Sequence, residues 1–154
     1  MSQIQTVEEL LTASGADLGV SEWYEVTQAR VNAFAENTGD IQPIHIDHEQ
    51  ALKAGLEGTI AHGFLTLSLL PQLAKTLNGT KLVVPKRMAI NYGLNKVRFI
   101  TPVRIPARIR LRTQLGEVKS VGLSSVQVVF RHTIEIEGEA KPAMYAEAID
   151  QFFF

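Results

Sequence analysis

The stretch from Thr59 to Leu77 limits the fold more than any other: it is apolar on nearly every face, holds no aspartate or glutamate, and ends at Asn78-Gly79. A helix with one polar face can lie at a surface, whereas a helix without one belongs inside a core. The segment is therefore expected to form a central helix that the rest of the chain encloses. Pro71 removes one backbone bond from it and should kink it. Its most apolar part, Phe64 to Ala74, falls well short of the roughly 20 residues that cross a bilayer.

What encloses the helix is legible downstream, where the period changes from Met88 onward to two. Ala107, Ile109, Leu111 and Thr113 alternate with Arg108, Arg110 and Arg112, and Val126, Val128, Phe130, His132, Ile134 and Ile136 share one face. Such alternation predicts long antiparallel strands with one buried side. Turn signals at Gly116, Gly122 and Glu137-Gly138-Glu139 separate successive strands, and Ala143 to Phe153 supplies the last. The expected class is α+β, an antiparallel sheet wrapped around a central apolar helix. A chain of 154 residues, 45% hydrophobic and 20% charged, is expected to form a single domain over 1–154.

Upstream, Val7 to Ala13 reads as a short helix ended by Ser14-Gly15, and Glu22 to Val26 as a brief strand. Thr27 is placed to cap a helix through Glu36 that stops at Asn37-Thr38-Gly39. Asp40 to Asp47 has no helical period, and Pro43 disfavours a helical Gln42, so a constrained loop is expected. Glu49 to Gly55 reads as a short helix closed by its glycine.

A net charge of −1 offers no global attraction to nucleic acid or to an anionic membrane, so neither partner is expected. Absence of cysteine removes thiol nucleophiles, thiolate ligands and disulfides, and fits a reducing compartment. Met1 to Glu9 lacks the basic stretch and apolar core of a signal peptide, which points to the cytoplasm.

Acid–base chemistry on a bound water needs groups that hold it and exchange protons with it, and a developing oxyanion needs backbone donors. Asp40 and His45 lie close enough in sequence for a carboxylate and an imidazole to converge on one water. Gly63 starts the apolar part of the central helix, where backbone amides lack intrahelical partners and a missing side chain allows close approach. It is the candidate oxyanion donor.

Here the sequence becomes specific. The run Phe34-Ala35-Glu36-Asn37-Thr38-Gly39-Asp40-Ile41-Gln42-Pro43-Ile44-His45-Ile46-Asp47, with Ile60-Ala61-His62-Gly63, resembles the signature of MaoC-like (R)-specific enoyl-CoA hydratases. Asn91 to Phe99 and Thr101-Pro102-Val103 resemble the strand and turn after that family's helix, and the Asn91 to Phe99 run, with Trp23 to Gln28, is similar to its nodulation protein N-like branch. The chain departs from the family's G-D-x-N-P-[LIV]-H pattern at Gln42, which is one methylene longer than asparagine and cannot form the same Asx turn. The resemblance implies a hot-dog fold, a homodimer, and an acyl chain running along the central helix near the subunit interface. It matches Asp40 and His45 to the water-activating pair and Gly63 to the oxyanion amide. The substrate it implies is an acyl-CoA or acyl-carrier-protein thioester, with no metal and no separate cofactor.

Other readings of the same residues stand beside this one. An Asp near a His in a loop can be a turn-capping pair, and His45, Asp47, His48 and His62 can be read as metal ligands, though at no recognised ligand spacing. His62 reads as a buried or hydrogen-bonded helix residue rather than a catalyst. Arg108, Arg110 and Arg112 read as the solvated face of a strand, with a CoA phosphate site as the competing reading. Asn91 and Asn95 are read either as ligand contacts or as residues at a strand irregularity. Rival functions are a hot-dog thioesterase, which commonly carries an acid on the central helix where this chain has none, and a catalytically idle acyl-binding subunit.

Overall fold

The computed structural model describes residues 2–154. In chain order, β1 (Gln3–Ile4) and α1 (Val7–Thr12) lead into β2 (Asp17–Val20), β3 (Tyr24–Val26) and α2 (Gln28–Thr38). Two short helices follow, α3 (Pro43–Ile46) and α4 (His48–Lys53), and then the apolar segment as α5 (Gly63–Ser68) and α6 (Leu70–Ala74). After β4 (Lys81–Leu82) come four long strands, β5 (Met88–Phe99), β6 (Ala107–Val121), β7 (Ser125–Ile136) and β8 (Met144–Phe153). These join in one antiparallel sheet of order β2-β6-β7-β8-β5, with β3 also paired to β6, while β1 and β4 form a separate parallel pair.

Alternation along the strands decides which face turns inward. Ile109 and Leu111 of β6, Ile134 of β7, and Met144 and Ala146 of β8 are buried against Leu65, Leu69, Leu70 and Leu73 of the broken helix, with Val31 of α2 beside them. A second apolar cluster joins Leu10 of α1 to Leu115, Val126, Val128 and Phe152. Each large aliphatic side chain removed from water in this way contributes about 1.5–3 kcal/mol. The expected sheet around an apolar helix is therefore the observed architecture, and it holds the start of α5 against the sheet.

Three local expectations are corrected. The central helix begins at Gly63, not Thr59. Ile60 forms an isolated antiparallel bridge with Arg104 and the Ala61 amide bonds Val103 O at 2.8 Å, so extended pairing wins over helix there. Segment 40–47 is not all loop: Pro43 occupies the first turn of α3, with Asp47 N bonded to Pro43 O at 2.8 Å. Proline keeps the residue before it extended, and Gln42 is extended at ψ 133°, yet its own fixed φ pre-organises the turn it opens. Gly116 is not a turn but lies inside β6, where the register shifts between Leu115 and Val118 and a Cβ would stand 3.0 Å from Val129. Glycine in a strand there marks a bulge and a close approach.

The expected kink is present as a break at Leu69, next to Pro71, whose missing N–H removes the bond to Leu67. Register shifts in β5 fall at Tyr92 and Asn95, which fits the strand-irregularity reading of this stretch. Among the described residues no helix is long and apolar enough to cross a membrane.

Candidate active site

Asp40 follows α2 directly. Thr27 caps the start of that helix by accepting from Arg30 N at 3.3 Å, and Gly39 ends it at φ 75°, a left-handed conformation that L side chains rarely adopt. The chain turns there and Asp40 emerges with its side chain 46% exposed. His45 sits on α3, only 7% exposed.

Its Nδ1 lies 2.7 Å from the carbonyl oxygen of Ile60. A carbonyl can only accept, so Nδ1 carries a proton, and in the neutral ring the lone pair is on Nε2. The backbone around His45 is also held: Ile60 N donates to Ile44 O at 3.1 Å and Gln28 Nε2 donates to His45 O at 2.7 Å. Thr59 Oγ1 in turn donates to Gln28 Oε1 at 2.6 Å. The extended segment before α5 and the first turn of α2 thus clamp α3 from two sides.

His62, the residue before α5, is buried at 2% exposure. Its ring stacks on that of His45, with centroids 3.8 Å apart and planes 28° apart, and meets Phe34 at 4.9 Å. Its Nε2 donates to the main-chain oxygen of Asp40 at 2.8 Å and stands 4.0 Å from the Asp40 carboxylate. A carboxylate oxygen of Asp40 and one ring nitrogen each of His45 and His62 lie within 4.8 Å of one another. The structure therefore brings Asp40 and His45 together, and adds His62, which is buried and hydrogen-bonded as expected but sits at the mouth of the helix.

Gly63 is the first residue of α5, and among the described residues its amide has no hydrogen-bond partner. A Cβ there would stand 3.0 Å from the Phe99 ring, so any larger residue at this position would have to push that ring aside.

The metal-ligand grouping read from sequence does not assemble. Asp47 accepts from Gln50 N as the cap of α4, and His48 lies exposed at the start of that helix. Asp40, His45 and His62 are the grouping that could hold an ion among the described residues. Both histidines of that trio already spend one ring nitrogen on a main-chain carbonyl.

Arg108 pairs with Glu137, while Arg110 and Arg112 share Glu135, which favours the solvated-face reading of the three arginines over a phosphate site. Burial pushes the Glu135 carboxyl up, but hydrogen bonds and charge from Arg110 and Arg112 outweigh it and hold the group below its usual range. Two surface hollows, one along Trp23, Arg110 and Lys141 and one along Arg104 and Arg108, do not include Asp40, His45 or Gly63. Sequence reasoning missed Gln28 and Thr59, distant positions whose pairing is made only by the fold.

Comparison with known proteins gives the chain its family and its fold. Residues 9–137 match the family described as MaoC like domain. Over 152 residues the chain is 45% identical to 3-hydroxyacyl-thioester dehydratase Z of Mycobacterium tuberculosis, covering 99% of each. It is 43% identical to nodulation protein N of Rhizobium leguminosarum bv. viciae, covering 88% of this chain and 83% of that protein. A solved structure, the MaoC-like dehydratase from Rhodospirillum rubrum, superposes with a TM-score of 0.73 at 21% identity over 92% of each chain, which shows the shared hot-dog fold.

Proposed function

The chain belongs to the MaoC-like domain family, and from that premise we propose that it is a hydro-lyase that reversibly adds water, syn, across a trans-2-enoyl thioester to give the (R)-3-hydroxyacyl thioester. The observation that carries this reading is the meeting of the Asp40 carboxylate and the His45 ring, with Nδ1–H of His45 committed to Ile60 O and its Nε2 lone pair left free.

In the proposed reaction a water sits between Asp40 and His45, donating one hydrogen bond to each. His45 Nε2 takes a proton as the water oxygen bonds to the β carbon. The π electrons move toward the thioester oxygen, which the Gly63 amide receives. The proton on Nε2 then passes to the α carbon from the same face, and the carbonyl re-forms. Asp40 orients the water and stabilises the transient imidazolium. No metal takes part. A carrier, CoA or acyl carrier protein, enters only as part of the substrate.

The test follows loss of the enoyl absorbance of crotonyl-CoA and longer homologues. Asp40→Asn and His45→Gln should each lower kcat by roughly 10²- to 10⁴-fold, and full activity in either contradicts the assigned roles. EDTA should leave the rate unchanged, and a loss restored by one divalent ion would replace this chemistry with a metal-based one.

The active assembly we propose is a homodimer built on β5. That strand is at the sheet edge and exposed along almost its whole length, with Ile90, Tyr92 and Leu94 among its exposed apolar residues. A long, bare, apolar edge is a template for a second strand.

A further inference from the structure

The two candidate catalytic side chains are not held alike. His45 is fixed by the bond its Nδ1 donates to Ile60 O, by the bond its own carbonyl accepts from Gln28, and by its place on α3. Asp40 lies in the exposed run 36–43, where the recorded hydrogen bonds are local: Asn37 to Ala33 O, Thr38 to Phe34 O, Asp40 N to Thr38, Ile41 N to Gly39 O. Among the described residues a single hydrogen bond ties this run to a distant part of the chain, from His62 Nε2 to Asp40 O. The same ring backs His45 by stacking.

His62 is also an unfavourable choice for stability alone. It is 2% exposed and its Nδ1 has no partner. A buried acceptor left unpaired costs stability that a phenylalanine in the same space, against Phe34, would not incur. What histidine supplies there and phenylalanine cannot is the one donor aimed at Asp40.

Resting on the hydration reading above, we propose that His62 is a positioning residue: by holding the Asp40 backbone from beneath and carrying the His45 ring on its face, it sets the separation at which the pair can share one water. It need not touch substrate. Small displacements of reacting groups are costly, with about 1 Å enough to lose on the order of 10²-fold in rate.

The test compares His62→Phe, which keeps a ring but loses the donor, with His62→Gln, whose amide nitrogen can reach where Nε2 stood. Steady-state hydration of crotonyl-CoA and thermal midpoints are measured for both. Positioning through Asp40 predicts that kcat falls roughly 10- to 100-fold in the Phe protein, with KM little changed and a thermal midpoint equal to or above that of the parent. The Gln protein should keep a kcat at least several-fold above the Phe protein despite lower stability. A packing role alone predicts the reverse order, with activity following stability, and that order overturns the proposal.

In an Asp40→Asn background His62→Phe should add little further loss, whereas a full additional 10-fold or greater loss shows action independent of Asp40 and overturns it. Should His62→Phe fail to fold, His62→Asn, polar but too short to reach the carbonyl, takes its place with the same expectation. Turnover by the parent with no loss in these variants sinks only the positioning role; absence of turnover by the parent sinks the hydration reading, and this inference with it.

Discussion

At Gln28, one side chain amide joins two parts of the site: its Nε2 donates to His45 O and its Oε1 accepts from Thr59 Oγ1. Gln28→Ala leaves a part-buried carbonyl and hydroxyl unpaired, so it should cost about 1–3 kcal/mol in urea unfolding. It should also lower kcat on crotonyl-CoA, because α3 is released on one side; an unchanged kcat would show that His45 is held without it. Residues at this scale were legible in proportion to how local their chemistry is. Asp40, His45 and Gly63 sit in short contiguous motifs, and a reader of the sequence can place them. Gln28, Thr59 and the orienting role of His62 arise from contacts 17, 31 and 22 positions apart, which no spacing in the sequence encodes.

Among the elements, α3 carries the clearest imprint of the one departure from the family pattern. Gln42 stands at its N-cap and makes no side-chain bond to the helix, whereas the shorter side chain of asparagine caps well. Gln42→Asn should therefore stabilise the protein by about 0.5–1 kcal/mol, read as a shift of the urea midpoint; a loss of stability would show that the longer amide has a role the free structure does not reveal. The same region explains where sequence reading failed. Pro43 acts in both directions, keeping Gln42 extended and opening the turn of α3, and only the first effect is local enough to read from the dipeptide. The start of the central helix is hidden in the sequence because Thr59 to Ala61 would suit a helix but are paired with Val103 and Arg104, partners more than 40 positions away. Long strands and the buried helix were readable because a period of two, and the lack of any polar face, extend over many residues and average out local exceptions.

Across the whole molecule, the sheet buries one histidine far from the proposed chemistry. His132 of β7 hydrogen-bonds Thr113 Oγ1 at 2.9 Å, and burial lowers its pKa from 6.5 to about 4. A lowered histidine pKa means the unfolded chain gains a proton before the folded one. Its contribution to stability is therefore complete above about pH 6.5 and is lost as pH falls toward 4, by about 3 kcal/mol in total. Urea midpoints should drop between about pH 7 and pH 4.5, and His132→Gln should shrink that drop; an equal drop in both proteins would remove His132 as its source. At the same scale, Leu94→Lys in the exposed edge strand should shift the particle measured by light scattering from dimer to monomer, and a monomeric parent would contradict the β5 assembly. The proposed reaction turns on one water delivered by Asp40 and His45 with its proton returned from the same side. NMR of the product formed from crotonyl-CoA in D2O tests this most directly. A 3R hydroxyl with deuterium added to the α carbon on the same face is the predicted result, and a 3S product, or deuterium on the opposite face, would contradict it.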